Sequence, residues 1–284
     1  MKRTALFVLA FLTALPLWAG KIVSAALQSR VLGAPVDYNV YLPDGFGEEN
    51  RSYPVVYLLH GLSDDYTAGA QKGGLQVVAD ELIRSGEAVP MVIVMPNAGG
   101  ADIHNVWNGY FNMPGWSYED FFFGEFLPAV EKQYNCGGGK DRRAIMGLSM
   151  GGGGSIVYSQ RHPDFFSSCY ALSPWLDNSG DEVNDGTETR DKFYLVKEAV
   201  KQHSALTFLE KADAATLERL RTVAWFVDCG DDDFILRLSL SFHLMMQRAG
   251  VHNELRVRDG VHTGEYWHLG LRTALPFASR NFSR

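Results

Sequence analysis

Short strand-like runs alternate with helix-like segments along most of this 284-residue chain, and this alternation limits the fold more than any other feature. Residues 36–42 alternate apolar with polar side chains, which predicts a half-buried strand. Further strands are predicted at residues 54–59, 91–95, 143–146, 169–172, 223–227 and 254–257. Helical spacing occurs at residues 75–83, 118–134, 151–160, 234–248 and 266–278. Strands that alternate with helices predict an α/β fold with a mostly parallel central sheet and helices on both faces.

One stretch between two predicted strands interrupts this rhythm. Residues 177–221 begin polar and turn-rich and then contain helix-like segments around 194–202 and 214–221. We interpret this stretch as an insertion over one end of the sheet. Surface segments of this kind often carry function, so one interpretation is that the insertion forms a lid or pocket wall. The alternative is that its role is purely structural. Because no repeat or linker divides the chain, residues 20–284 are predicted to form a single domain.

The N-terminus has the pattern of a secretory signal. Lys2 and Arg3 precede an apolar run over residues 5–18, and two small residues follow. The run is shorter than the ~20 residues that span a bilayer, so a signal peptide over residues 1–19 is favoured over a membrane anchor. We therefore expect an exported protein, periplasmic or extracellular, with no membrane contact after the signal is removed.

Composition excludes several other classes of protein. The chain has 26 Lys and Arg against 33 Asp and Glu, a formal net charge of −7, whereas nucleic-acid binding requires a basic surface. The three cysteines, Cys136, Cys169 and Cys229, are too few for a disulfide framework. We expect two buried thiols and one loop thiol, with a single disulfide as the alternative. No CxxC or HExxH motif occurs, so no metal site is predicted.

The sharpest local signal is the pentapeptide Gly147-Leu-Ser-Met-Gly151, which stands between a predicted strand and a Gly-rich helix start. In that setting G-x-S-x-G is typical of the nucleophile elbow of α/β-hydrolases, with Ser149 as the nucleophile. Glycines are expected on either side because a side chain there would collide with the neighbouring strand or helix. An ordinary glycine-rich turn is the alternative.

A serine hydroxyl needs an adjacent base that is itself held by an acid, and this fold places them in the order serine, acid, histidine. His262 is the predicted base, because it lies in a Gly-flanked loop just beyond the strand at 254–257. Four aspartates occur within residues 228–233. Asp228 belongs to a strand end, and the residues themselves leave Asp231, Asp232 and Asp233 open as candidates for the acid.

Acyl transfer also requires N–H donors for the tetrahedral oxyanion. The residue after the nucleophile, Met150, supplies one backbone N–H, and Leu62 in the loop after the strand at 54–59 is the best second donor. His60 begins this loop. We interpret it as a buried, hydrogen-bonded ring that shapes the turn and not as a proton-transfer group.

Together these motifs resemble the esterase D-like "putative esterase" family. That family contains feruloyl and acetylxylan esterases of carbohydrate esterase family one, S-formylglutathione hydrolases and mycolyltransferases. The resemblance covers about residues 30–280. It rests on Leu58-Leu-His-Gly61, Gly147-Leu-Ser-Met-Gly-Gly152, Cys229-Gly-Asp-Asp-Asp233, and Gly260-Val-His262 followed by Tyr266-Trp267.

The resemblance implies an α/β-hydrolase fold and a triad of Ser149, Asp233 and His262, with Asp233 selected as the third residue after the Cys-Gly pair. It places the oxyanion donors on the backbones of Leu62 and Met150. It implies no metal and no organic cofactor. Relatives often carry a tryptophan shortly after the base and another after the oxyanion loop, where this chain has Gly264 and the Ala68-Gly69 pair.

Export and resemblance together predict a secreted serine esterase. The expected substrates are acetyl or feruloyl esters on plant polysaccharide or oligosaccharides, hydrolysed through an acyl-enzyme. An acyltransferase of the mycolyltransferase type and a non-catalytic carbohydrate-binding protein are the alternatives. Aromatic rings in loops can stack on sugars or aromatic acids, with core packing as the other interpretation, and the candidates for this role are Trp107, Trp116, Trp175 and Trp267.

Overall fold

The computed structural model describes residues 19–48, 51–179 and 191–283. The predicted signal peptide lies outside these ranges apart from its last residue, as does the segment 180–190 of the predicted insertion. None of the helices within these ranges is long and apolar enough to cross a membrane.

A mostly parallel sheet of eight strands forms the centre of the molecule, in the order β1-β2-β4-β3-β7-β8-β9-β10. Pairs β1–β2 and β2–β4 are antiparallel, and the other neighbours are parallel. A separate hairpin is formed by β5 and β6. The strands are β1 (Lys21–Gln28), β2 (Pro35–Leu42), β3 (Val55–Leu59), β4 (Val92–Pro96), β5 (Asn112–Met113), β6 (Trp116–Ser117), β7 (Arg143–Leu148), β8 (Ser168–Leu172), β9 (Ala224–Gly230) and β10 (Glu254–Arg258).

Helices cover both faces of the sheet, as the sequence predicted. A π-helical turn, Phe122–Phe126, joins α3 to α4, so the single predicted helix at 118–134 is one continuous helical segment with a wider central turn. The helices are α1 (Ala68–Gln71), α2 (Leu75–Ser85), α3 (Tyr118–Phe121), α4 (Leu127–Tyr134), α5 (Met150–Arg161), α6 (Lys192–Gln202), α7 (Ala205–Lys211), α8 (Ala214–Leu220), α9 (Leu236–Arg248) and α10 (Gly264–Arg280).

The sheet separates two hydrophobic cores, because successive side chains of a strand point to opposite faces. Along β3, Val55, Tyr57 and Leu59 belong to the core beneath α3, α4, α5 and α9. Their neighbours Val56 and Leu58 belong to the core beneath α2 and α10. This double coverage explains why the central strands are continuous apolar runs in the sequence.

The insertion differs in part from its prediction. It contains three helices within residues 191–221, and α7 was not predicted. The first helix, α6, packs on the loop at residues 104–113, through a hydrogen bond from Lys192 N to the His104 carbonyl. The second, α7, packs against α5 and α9. The insertion therefore covers one face of the sheet as well as bordering its end.

All three cysteines are free and buried. Cys136 is the loop thiol, since it follows α4 and precedes β7, and it is buried as well. Burial raises the pKa of the Cys229 thiol to about 11 and that of Cys169 to about 12. Neither thiol is poised to ionise near neutral pH, which is consistent with packing roles.

Candidate active site

Ser149 occupies a sharp turn between the end of β7 and the first residue of α5. Its backbone lies at φ 55° and ψ −113°, a conformation that is costly for a residue with a side chain. A Cβ on Gly147 would overlap the backbone of Gly151, and a Cβ on Gly151 would overlap the Leu59 carbonyl of β3. The two glycines of the motif are therefore required by close backbone approach, as the sequence predicted.

Strained backbone is concentrated around this turn. Among the described residues, four that are not glycine have positive φ: Ser63, Asn135, Ser149 and Ser173. Asn135 terminates α4, where a left-handed residue is usual. The three serines follow the carboxyl ends of β3, β7 and β8, which lie side by side in the sheet. Strain of this kind persists where the surrounding structure holds it, which is common at functional sites.

His262 and Asp233 form a hydrogen-bonded pair at the same edge of the sheet. The His262 Nδ1 atom lies 2.8 Å from Asp233 Oδ2, and Asp233 Oδ1 also accepts a hydrogen bond from the Ile235 amide. Burial alone would raise the pKa of Asp233, but the interactions with His262, Ser173 and the Ile235 amide outweigh burial and hold that pKa below its usual value. The carboxylate is thus ionised and orients the imidazole.

The strands that precede these residues bring them to one edge. Ser149 follows β7, Asp233 follows β9 and His262 follows β10, and β7, β8, β9 and β10 are successive parallel neighbours. Open parallel sheets place their sites at this carboxyl edge. Within the described residues the imidazole bonds to Asp233 and not to the Ser149 hydroxyl. The contact between a catalytic histidine and its serine is often long in a ligand-free enzyme and shortens when substrate binds.

The other three aspartates of the cluster have different environments. Asp228 is fully buried within β9 and accepts hydrogen bonds from the hydroxyls of Tyr170 and Tyr266, each at 2.6 Å. Asp231 is exposed and accepts a hydrogen bond from the Gly260 amide. Asp232 is exposed. Neither of these two reaches His262, so the geometry singles out Asp233 from the candidates that the residues left open.

The loop after β3 lies directly against the serine turn. A Cβ placed on Gly61 would lie 3.7 Å from the Ser149 Cβ, so the backbone that leads to Leu62 borders the nucleophile. Met150 begins α5 beside it. The two predicted oxyanion donors therefore belong to adjacent segments.

His60 is the buried, hydrogen-bonded ring that the sequence analysis expected. Its Nε2 accepts a hydrogen bond from the Ala98 amide at 2.9 Å, so Nδ1 carries the proton and donates to the Gly61 carbonyl at 2.8 Å. Burial lowers the pKa of this imidazole. His60 therefore fixes the turn in neutral form.

Asn108 is a site residue that lies outside all of the sequence motifs. It is fully buried, and its Oδ1 accepts hydrogen bonds from the amides of Ser63 and Gly100, each at 3.3 Å. It thereby fastens the loop after β4 to the oxyanion loop. An asparagine in a polar loop gives no signal in the sequence that distinguishes this role from solvent exposure.

The four predicted substrate-binding tryptophans fall into two groups. Trp107 and Trp116 stack on each other with ring centroids 5.9 Å apart, and Lys192 of α6 lies over the Trp107 ring. Trp175 is half-buried, and its amide bonds to the Ser149 carbonyl. Trp267 is buried and packs edge-on against His262. The first three retain exposed surface, whereas Trp267 supports the imidazole from within the core.

The fold and the serine turn define the class of this protein as an α/β-hydrolase. Within that class it belongs to the family described as putative esterase, whose model matches residues 29–278.

Individual relatives agree with this assignment. The chain is similar to a solved ferulic acid esterase, with 45% identity and a TM-score of 0.88 over 93% of this chain and 100% of that one. It is 30% identical to an endo-1,4-beta-xylanase/feruloyl esterase of Xylanibacter ruminicola, over 54% of this chain and 22% of that protein. A fluorophosphonate-binding serine hydrolase of Staphylococcus aureus shares the fold at 24% identity and a TM-score of 0.75, over 92% of this chain and 99% of that one. The chain spans less than a third of the length of the curated relatives it matches.

Proposed function

We propose that this protein is a secreted serine esterase that hydrolyses feruloyl or acetyl esters of plant polysaccharide or oligosaccharides. The observation that carries the proposal is the Asp233–His262 hydrogen bond at the sheet edge where the strained turn of Ser149 lies. A buried carboxylate that orients a histidine at the same sheet edge as a half-buried serine turn is the arrangement that activates a hydroxyl for acyl transfer.

In the proposed reaction the Ser149 hydroxyl attacks the ester carbonyl while His262 accepts its proton. Asp233 holds the imidazole in the tautomer that leaves Nε2 free, and stabilises the imidazolium that forms. The backbone N–H groups of Leu62 and Met150 stabilise the oxyanion. His262 then protonates the departing alkoxide, and the same group activates the water that hydrolyses the acyl-enzyme. The reaction needs no metal and no cofactor.

The proposed substrate follows from the named relatives and from the aromatic residues near the site. The solved neighbour at 45% identity is a ferulic acid esterase, and the Xylanibacter relative combines xylanase with feruloyl esterase in its name. The stacked pair Trp107 and Trp116 lies in the loop that Asn108 fastens to the oxyanion turn. Flat rings in that position suit an aromatic acid or a sugar.

We also propose that residues 1–19 are a signal peptide and that residues 20–284 form a single domain that acts outside the cytoplasm. The signal pattern of the sequence supports export, and the family match over residues 29–278 supports one domain.

The decisive experiment compares the wild-type protein with Ser149→Ala on p-nitrophenyl acetate and methyl ferulate. We expect wild-type hydrolysis of at least one ester and a loss of several orders of magnitude in kcat for the variant. Ser241→Ala, a substitution of the same type on α9, controls for handling, and thermal unfolding should show that both variants fold. Absence of wild-type hydrolysis, or full activity of Ser149→Ala, would contradict the proposal.

A further inference from the structure

Phe234 is an aromatic residue that the fold itself does not use. Its side chain is 80% exposed, more than any other large hydrophobic side chain within the described ranges. Hydrophobic stabilisation grows with the apolar area removed from water. Packing within the chain therefore does not account for a phenylalanine at this position.

The exposed ring of Phe234 lies against the imidazole of the candidate base. Its centroid is 4.8 Å from that of the His262 imidazole. On another side the buried Trp267 contacts the same imidazole edge-on, with centroids 5.4 Å apart. Nδ1 is taken by Asp233. The imidazole is therefore enclosed from within by Trp267 and Asp233 and bordered at the surface by Phe234.

The alcohol part of an ester must leave beside Nε2 of the imidazole, because Nδ1 is bonded to Asp233 and Nε2 is the atom that donates the proton. The acyl part stays on Ser149, between the oxyanion donors, while the departing alkoxide takes a proton from His262. An apolar ring beside the imidazole is thus placed against the alcohol part of the substrate and not against the acyl part.

The charge of this rim favours a neutral, hydroxyl-rich alcohol. Asp231, Asp232 and Asp259 are exposed in the loops that carry Asp233 and His262, and Glu265 is exposed in the first turn of α10. These loops are adjacent, because the Asp232 amide bonds to the Gly260 carbonyl. Carboxylates repel anionic alcohols and accept hydrogen bonds from hydroxyl groups. A sugar offers both hydroxyl groups and an apolar C–H face.

We propose that Phe234 binds the sugar ring in the alcohol part of the ester and so makes the enzyme selective for esters of saccharides over esters of simple alcohols. The ring of Phe234 stacks on the C–H face of the sugar next to the ester oxygen, and exposed carboxylates of the rim accept its hydroxyl protons. This inference rests on the proposed function.

The test is the ratio of kcat/KM for a feruloylated arabinoxylan oligosaccharide to kcat/KM for methyl ferulate. The two esters share the acyl part and differ in the alcohol part. Aromatic contacts contribute roughly 0.5–1.5 kcal/mol, so Phe234→Ala should lower this ratio on the order of threefold to tenfold. Phe234→Trp should keep the ratio near that of the wild type, because it retains a flat ring. Leu244→Ala, which removes another exposed apolar side chain on α9, should leave the ratio unchanged.

Three other outcomes of this comparison would overturn the proposal. An equal loss on both esters, or a changed pH profile on methyl ferulate, would show that Phe234 acts on His262, and would overturn the proposal. An unchanged ratio in Phe234→Ala would overturn it as well. Failure of the wild type to hydrolyse these two esters and p-nitrophenyl acetate would overturn the proposed function and this inference with it, and differs visibly from a loss of selectivity alone.

Discussion

Four aspartates within six residues differ in what their carboxylates contact. Asp228 is buried among tyrosine hydroxyls, Asp231 holds the Gly260 amide, and Asp233 pairs with His262. The residues alone left three candidates for the acid. The backbone conformation of the loop decides which carboxylate points toward the histidine, and this conformation cannot be read from the sequence. The family pattern selected Asp233, and the structure places that residue, and neither exposed neighbour, in contact with the imidazole.

The first prediction tests this distinction. Asp233→Asn should lower kcat on p-nitrophenyl acetate by about three to four orders of magnitude, because the amide stabilises the wrong imidazole tautomer and no longer stabilises the imidazolium. Asp232→Asn changes the adjacent, exposed carboxylate and should retain kcat within about twofold. Steady-state kinetics measure kcat for both variants, and unfolding in urea checks that both variants fold. A strong loss in Asp232→Asn with an active Asp233→Asn would reassign the acid.

The second prediction concerns the protonation of His60. Burial lowers the pKa of this imidazole in the folded protein, whereas an unfolded histidine has a pKa of about 6.5. The unfolded chain therefore binds more protons as the pH falls below about 6.5, and folding stability decreases in that direction until His60 itself is protonated. Raising the pH above about 6.5 should bring no further change from this group.

Urea unfolding at pH 7.5 and 5.5 measures this effect. His60→Gln keeps an acceptor for the Ala98 amide and removes the titration, so the variant should be less stable at pH 7.5 but lose less stability on acidification. His203, whose pKa burial also lowers, is present in both proteins and cancels in the comparison. If the stability of the two proteins depended identically on pH, this would contradict a buried, neutral His60 with a lowered pKa.

At the scale of elements, one buried carboxylate joins the strands and the helix that frame the His262 loop. Asp228 on β9 accepts hydrogen bonds from Tyr170 on β8, from Tyr266 on α10 and from Arg258 at the end of β10, the last at 3.2 Å. The Arg258 guanidinium also lies 4.3 Å over the Tyr266 ring. Burial raises the pKa of Tyr266, so its hydroxyl stays protonated and donates. Both ends of the loop that carries His262 are thus fastened to Asp228.

The third prediction follows from this arrangement. Asp228→Asn should destabilise the protein by about 2–4 kcal/mol, because it leaves arginine and tyrosine donors without their charged acceptor. The milder Tyr266→Phe removes one hydroxyl and should cost about 1–2 kcal/mol. Both should lower kcat, since a displaced loop misplaces His262. Glu218→Gln, which breaks an exposed pair with Arg221, should cost at most about 1 kcal/mol. Equal stability of Asp228→Asn and Glu218→Gln would refute this role.

The elements that the sequence predicted are those with a strong local pattern. The central strands β3, β4, β7 and β8 are buried on both faces and stand out as apolar runs. The edge strand β1 was not predicted, because it is partly exposed along its length and its pairing with β2 depends on residues 35–42. Helix α7 was missed because its seven residues are too few for a helical period to stand out, and tertiary contacts with α5 and α9 hold it in place.

At the scale of the whole molecule, the alternation of strands and helices predicted the α/β class and the two covered faces, and the structure confirms both. The order of the strands was not predictable from the residues, because each central strand has nearly the same apolar character. Strand order is nonetheless what brings the ends of β7, β9 and β10 to one edge. The motifs identified the candidate catalytic residues, and the sheet topology places them at the same edge.

Cleavage of the proposed signal peptide after residue 19 would place the new N-terminus at Gly20, beside Asp80. Gly20 is buried at the start of β1, where a Cβ would overlap the Tyr41 ring. Its amide donates to Asp80 Oδ1 at 2.8 Å, and its carbonyl accepts a hydrogen bond from Gln76 at 2.8 Å. Removal of residues 1–19 would turn that amide into an α-ammonium group facing Asp80. The hydrogen bond would become an ion pair that ties β1 to α2.

The fourth prediction is that the exported protein begins at Gly20 and gains stability from this pair. Intact mass measured on the exported protein should match residues 20–284. In that processed protein Asp80→Asn should cost about 1–3 kcal/mol in urea unfolding, because hydrogen bonds to charged groups are stronger than neutral ones. Glu81→Gln, which changes the next, exposed carboxylate, should cost at most about 1 kcal/mol. A mature chain that begins after Gly20 would remove the ammonium from Asp80, and one that retains residues 1–19 would never form it, so either mass would refute the prediction.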